Sequence, residues 1–253
     1  MKYLKLMIVA ILWATIVLTP AAAADFDQSH GTLERVLSRF VRDARVDYAG
    51  LKANPKELDS YANSLSAVPE TEFRRWPEKD RLSFLINLYN AQTLRLIIHH
   101  YPVRSIKKIG SIRRGPWDQP VVPLFGRMIT LAELEHKIIR KEYPDPRAHF
   151  ALVCAAKGCP PLRGEPYVAD RLDAQLEEQG RLFISQRQKN RWEDGVLFLS
   201  PIFEWFKEDF VNKSGSVTAF VAPYFPEQAR REILTSAVKI EFTDYDWSLN
   251  DNN

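Results

Sequence analysis

The stretch from Lys79 to His100 limits the fold of this chain more than any other. Phe84, Leu85, Ile86, Leu88, Tyr89, Ala91, Leu94, Leu96, Ile97 and Ile98 fall on every side of a helix there. A helix that is apolar all round is buried within a domain. Ser83, Asn87 and Asn90 nevertheless share one face of it at helical spacing. A buried amide without a partner costs on the order of 1 to 3 kcal/mol, so this polar stripe needs an assignment. It is either a structural hydrogen-bond network or a face turned toward an active loop.

The ends of the chain bound its location. Lys2 and Lys5 precede an apolar run from Leu6 to Leu18, followed by Thr19-Pro20 and the small residues Ala21 to Ala24. A basic start, an apolar run too short to span a bilayer comfortably and a small-residue cleavage site together predict a signal peptide over residues 1–24. Cleavage there removes two lysines and no acid, taking the formal charge from +3 to +1. So nearly neutral a chain is not expected to bind nucleic acid, which requires a dense positive surface. Small anionic molecules or peptides remain available as partners. No later apolar run reaches about 18 residues, so a periplasmic or secreted protein without stable membrane insertion is expected. With 45% hydrophobic and 11% aromatic residues, the remainder has enough apolar material for one sizeable core.

Periodicity outlines the other elements. Leu33, Val36, Leu37, Phe40 and Val41 predict an amphipathic helix from Gly31 to Ala44. Asn54-Pro55 opens another through Val68, and Tyr101-Pro102 ends the central helix. Arg104, Lys107, Lys108, Arg113 and Arg114 then form a basic loop, either solvated or an anion-binding lip. Short strands with a turn at Gly126 are expected between Val121 and Ile129. Thr130-Leu-Ala-Glu133 is a capping box for a helix reaching Glu142. At regular helical spacing it aligns Ala132, His136 and Arg140, with Glu135 beside them. Arg147 to Val153 reads as a short buried strand, Asp170 to Gln188 as a helix and Val196 to Leu199 as a strand. Ser200-Pro201 starts a helix carrying Ile202, Phe203, Phe206 and Phe210 inward, and Val238 to Phe242 reads as a last strand.

Both cysteines lie in one stretch, His149-Phe-Ala-Leu-Val-Cys154-Ala-Ala-Lys-Gly-Cys159-Pro-Pro-Leu-Arg163. Four chemistries are open to it. Cys154 is a candidate nucleophile, with His149 or His136 as base and Glu135 or Asp145 orienting the base. Residues five apart on a strand point to opposite faces, so a dyad of His149 with Cys154 requires a bulge or an earlier strand end. Alternatively the cysteines form a disulfide, favoured outside the cell, and Gly158 lets the short ring close. Cys154, Cys159, His149 and His136 are also the right types for a tetrahedral zinc site, although the spacing is not that of a paired finger. Finally, both cysteines are candidates for inert core residues. Arg140, Arg147 and Arg163 are either paired with local acids or hold an anionic substrate beside the thiol.

Several separated blocks resemble one family. Phe84-Leu-Ile-Asn-Leu-Tyr-Asn-Ala91, Leu134-Glu-His136 with Arg140, Asp145 to Leu152, Cys154 to Arg163, Ser200 to Phe210 and Tyr245-Asp-Trp247 together look like the domain of unknown function 547 family. Leu85 stands where that pattern commonly has tryptophan. The resemblance implies a domain and no reaction, although glutaredoxin-like domains in some members imply a link to thiol chemistry.

The sequence therefore predicts a helix-dominated single α+β domain with a small, mainly antiparallel sheet. A helical segment at 25–78 is expected to pack on a main domain at 79–250. The leading functional expectation is an exported thiol-dependent hydrolase or transferase. Its catalytic candidates are Cys154, His149, His136, Glu135, Asn87 and Asn90, and its substrate-binding candidates are Arg140, Arg147, Arg163 and Cys159. No cofactor and no resident metal are expected. The rival is a non-enzymatic binding or envelope-assembly module with a Cys154–Cys159 clip.

Overall fold

The central helix α5 (Glu78–His100) follows Pro77, carries Glu78 and Asp80 in its first turn and ends with His99 and His100. This charge order suits the helix dipole, which favours acids at the start and imidazoles at the end. Phe84, Leu85, Ile86, Leu88, Ala91 and Ile97 are fully inaccessible on it, around its whole circumference. It is the axis of the main apolar cluster. These are features of a computed structural model that describes residues 25–252 apart from 112 and 236. The expected signal peptide lies outside the described residues.

Elements before α5 pack against it or against one another. Helix α1 (Gly31–Phe40) lies on α3 (Lys56–Ala67), while α3 and the short α2 (Tyr48–Ala53) contact α5. A two-residue hairpin of β1 (Val41–Arg42) and β2 (Arg45–Val46) joins α1 to α2, and α4 (Glu70–Phe73) leads into α5. After α5 comes an antiparallel hairpin, β3 (Val122–Leu124) with β4 (Arg127–Ile129), turning at Phe125-Gly126 with both residues at positive φ.

The helix predicted from Thr130 to Glu142 forms with an altered interior. Thr130 caps it, its Oγ1 accepting from the Glu133 N–H at 2.9 Å. One α-turn, α6 (Leu131–Glu133), passes into a π-helix over Leu134–Ile139 and back to α7 (Arg140–Glu142). The Arg140 N–H bonds the Glu135 carbonyl, five residues back. Each π-turn holds an extra residue, so regular 3.6-residue phasing does not hold across it.

Downstream, α8 (Leu172–Ile184), α9 (Ile202–Trp205), α10 (Lys207–Ser214), α11 (Val217–Val221) and α12 (Glu227–Thr235) surround a second, phenylalanine-rich cluster. Strands β5 (Arg191–Glu193) and β6 (Val196–Leu199) form a hairpin through Asp194-Gly195, and β7 (Lys239–Phe242) adds to β6 in parallel. The fold is a helix-dominated α+β domain in which most strand pairs are antiparallel. Tyr245 packs against both apolar clusters, marking the seam where the candidate site lies.

Candidate functional site

The segment predicted as a strand over 147–153 is instead a 3-10 helix over Pro146–Phe150 followed by irregular chain. Asp145 decides this, because its carboxylate accepts from the Arg147 N–H at 2.9 Å and Pro146 supplies a preset helical φ. The strand-face objection to His149 and Cys154 acting together therefore lapses.

Asn87 and Asn90 fix the chain that follows. Asn90 donates to the Ala151 carbonyl at 2.9 Å and accepts from the Val153 N–H at 3.0 Å. Asn87 does the same for Tyr167, at 2.7 and 3.0 Å. Each carboxamide thus serves as a substitute strand neighbour for otherwise unpaired backbone. Their hydrogen bonds bracket the cysteine loop and hold it on α5, so neither is a polarising donor for substrate.

Within that loop Cys154 and Cys159 form a disulfide, with Cα atoms 6.3 Å apart. The Tyr245 hydroxyl donates to Cys159 Sγ at 3.1 Å and lies 3.3 Å from Cys154 Sγ. A side chain at Gly158 would meet the Tyr245 ring at 2.8 Å, so only glycine fits under it. Backbone bonds from Lys157 to Ser248, Gly158 to Asp246 and Asn250 to Ala155 lace the loop to the C-terminal segment. As a bridge, neither sulfur is a thiolate, and nucleophilic attack by Cys154 belongs only to a reduced form.

Beside the bridge opens a cleft of about 210 Å³. Trp117, Trp205, Phe206, Tyr245 and Trp247 supply its aromatic walls, with Tyr89, Glu135, His136, His149 and both cysteines also lining it. Trp205 and Trp247 stack with ring centres 5.7 Å apart, and Trp247 meets Tyr245 at 4.5 Å. The exposed Lys107 ammonium sits 4.7 Å above the Trp247 ring, which brings the basic loop to the edge of this aromatic group.

Glu135 is the most perturbed acid in the cleft. It projects from the π-segment and is 8% exposed, whereas the adjacent His136 is exposed. Burial pushes its carboxyl up to about 7, against the opposing effects of a Tyr89 hydroxyl hydrogen bond and the Arg140 charge. It can therefore give or take a proton near neutrality. Burial and the charges of Arg140 and His149 push His136 below its usual range.

His149 is held by Asp209, a residue the sequence reading did not select. Its Nε2 lies 2.7 Å from Asp209 Oδ2, and its ring stacks on Phe206 at 3.9 Å. Burial, outweighing the attraction of Asp209, keeps the imidazole pKa below normal. The group is thus a neutral ring donating Nε2–H, with the lone pair on Nδ1. Burial raises the Asp209 pKa, but hydrogen bonds from His149 and Arg140 override it and hold that carboxyl far below the usual range. Arg140 grips Asp209 through two bonds, at 2.7 and 3.0 Å.

The expected arginine clamp does not assemble. Arg147 pairs with Asp145 and Asp173, and Arg163 with Glu165 and Glu178. Neither lines the cleft; local carboxylates complete the guanidinium forks. No group of three or more His, Cys, Asp or Glu among the described residues is placed to hold a metal ion, and both cysteines of the four-ligand zinc alternative are engaged in the bridge.

Residues 73–184 match the family model described as Protein of unknown function, DUF547. The chain carries a DUF547 domain. No curated protein and no solved structure matches it. The DUF547 match contains Tyr89, Glu135, His149, both cysteines and the asparagine clamps, but ends before Trp205, Phe206, Asp209, Tyr245 and Trp247. One wall of the cleft therefore comes from outside the matched span. Its aromatic residues had a visible signal in the Tyr245-Asp-Trp247 tail and in the Ser200 to Phe210 block, which also contains Asp209 without singling it out.

Proposed function

We propose that this is an exported periplasmic or secreted binding module whose aromatic cleft takes a small molecule with a flat apolar face and an anionic group. The observation that carries this reading is the disulfide built into the cleft wall with Tyr245 bonded across it. A clip of this kind makes the wall rigid, and a preformed wall lowers the ordering cost of binding. Trp117, Trp205 and Trp247 offer faces for stacking, and Lys107 offers a cation at the rim for the ligand's acidic end. Glu135 sits among these rings as a carboxyl that is largely uncharged below neutrality, which reduces its repulsion of an anion.

Mass spectrometry of the protein recovered from its natural compartment tests the reading. The mature chain is expected to start after Ala24, with no thiol available to alkylation before reduction and two after it. Two free thiols in the untreated protein would remove the clip and return Cys154 to the role of nucleophile in a thiol-dependent enzyme.

A further inference from the structure

A second cavity, of about 470 Å³, shares Cys159, Pro160 and Tyr245 with the aromatic cleft but is polar. We propose that it binds a zwitterionic ligand of the amino-acid or short-peptide type. Lys189, Arg45 and Lys157 hold the ligand's carboxylate, and Asp244 and Asp246 hold its ammonium.

The case starts from three cations that form no direct ion pair among the described residues, although Arg45 donates to the Asp251 carbonyl at 3.5 Å and Asp246 acts on all three at longer range. Lys189 is half-buried, and its Nζ donates to the Cys159 carbonyl at 2.7 Å. An ammonium has three donors, so two remain. Among the described residues no carboxylate lies within 4.0 Å of Lys189, Arg45 or Lys157, and all three line this cavity. Arg140, Arg147 and Arg163, by contrast, each form an ion pair. Burial first, and then the nearby Arg45 charge, push the Lys189 ammonium down to about 8 against the attraction of Asp246, so the cation is only partly compensated. An anion placed between them relieves both costs.

The opposite pole is on the same cavity. Asp244 and Asp246 line it, and hydrogen bonds from Ser248, helped by the charges of Lys157 and Arg45, keep the Asp246 carboxyl below its usual range and ionised. These charges oppose a bare anion and favour one that carries its own cation. Gln186 also lines the cavity, and its buried Oε1 has no partner. A turn of that amide presents the oxygen to a ligand N–H. This inference is independent of the proposed occupant of the aromatic cleft.

Calorimetric titration of the mature protein at pH 7 with diglycine, and separately with inorganic phosphate, tests it. Diglycine is expected to bind saturably and more tightly than phosphate, with affinity at least tenfold lower in Lys189→Met or in Lys157→Ala. Lys157 is exposed, so its variant reads the site even if Lys189→Met perturbs the loop. Absence of saturable diglycine binding, phosphate binding as tight as diglycine, or unchanged affinity in both variants would overturn the proposal.

Discussion

Two faces of the same helix handle buried polarity in opposite ways. On one, Asn87 and Asn90 meet the backbone of Tyr167, Ala151 and Val153 with donor and acceptor both matched. On the other, Tyr89 turns toward the cleft, where Glu135 is buried among aromatic rings with its pKa displaced. Matched polar groups hold the loop in place. A carboxyl whose burial is only partly compensated is a source of pH dependence instead, and perturbed acids of this kind mark functional clefts.

The contrast is sharpest in unfolding experiments. Asn90→Ala removes the partners of one buried carbonyl and one buried N–H, so a loss of roughly 2 to 5 kcal/mol is expected in urea denaturation. A loss below about 1 kcal/mol would mean that the clamp does not hold the loop. Glu135 is predicted to act through pH. Its folded pKa of about 7 lies above the ordinary glutamate value of 4.5, so the folded state binds the proton more tightly. Stability is fully present below about 4.5 and is lost as pH rises through about 7, by roughly 3 kcal/mol. Glu135→Gln should flatten that part of the stability profile, and an unchanged profile would show that the carboxyl is not desolvated as described. The double variant Cys154→Ser with Cys159→Ser opens a small ring and should cost about 2 kcal/mol by chain entropy. A much larger loss, measured by the same denaturation, would make the bridge rather than the asparagine clamps the main anchor of the loop.

Much of the fold was readable without coordinates because it rests on local patterns. The all-round apolar segment became the buried α5, Val196–Leu199 formed the strand expected of it, and Thr130 capped its helix. The failures share one cause, competition from local or long-range hydrogen bonds that periodicity does not encode. Asp145 turned an apolar strand-like run into a 3-10 helix. The π-segment, which carries the buried Glu135 and the exposed His136, shifts the helical phase in a way that a 3.6-residue period does not encode. Of the candidate site residues, Cys154, Cys159, Glu135, His136 and His149 line one cleft, whereas Asn87 and Asn90 bond backbone and Arg140, Arg147 and Arg163 pair with carboxylates.

Local spacing along the chain specifies a buried helix, two cysteines close enough to bridge, and a polar stripe in need of partners. These follow from spacing and from the cost of burying unpaired groups. The identity of the partners comes from packing between distant segments. Asp209 reaches His149 from 60 residues away, and Tyr245 reaches the bridge from 86 residues beyond Cys159. Such contacts depend on how separate elements pack, so the aromatic wall, the held imidazole and the displaced carboxyl meet only after the second apolar cluster closes on the first.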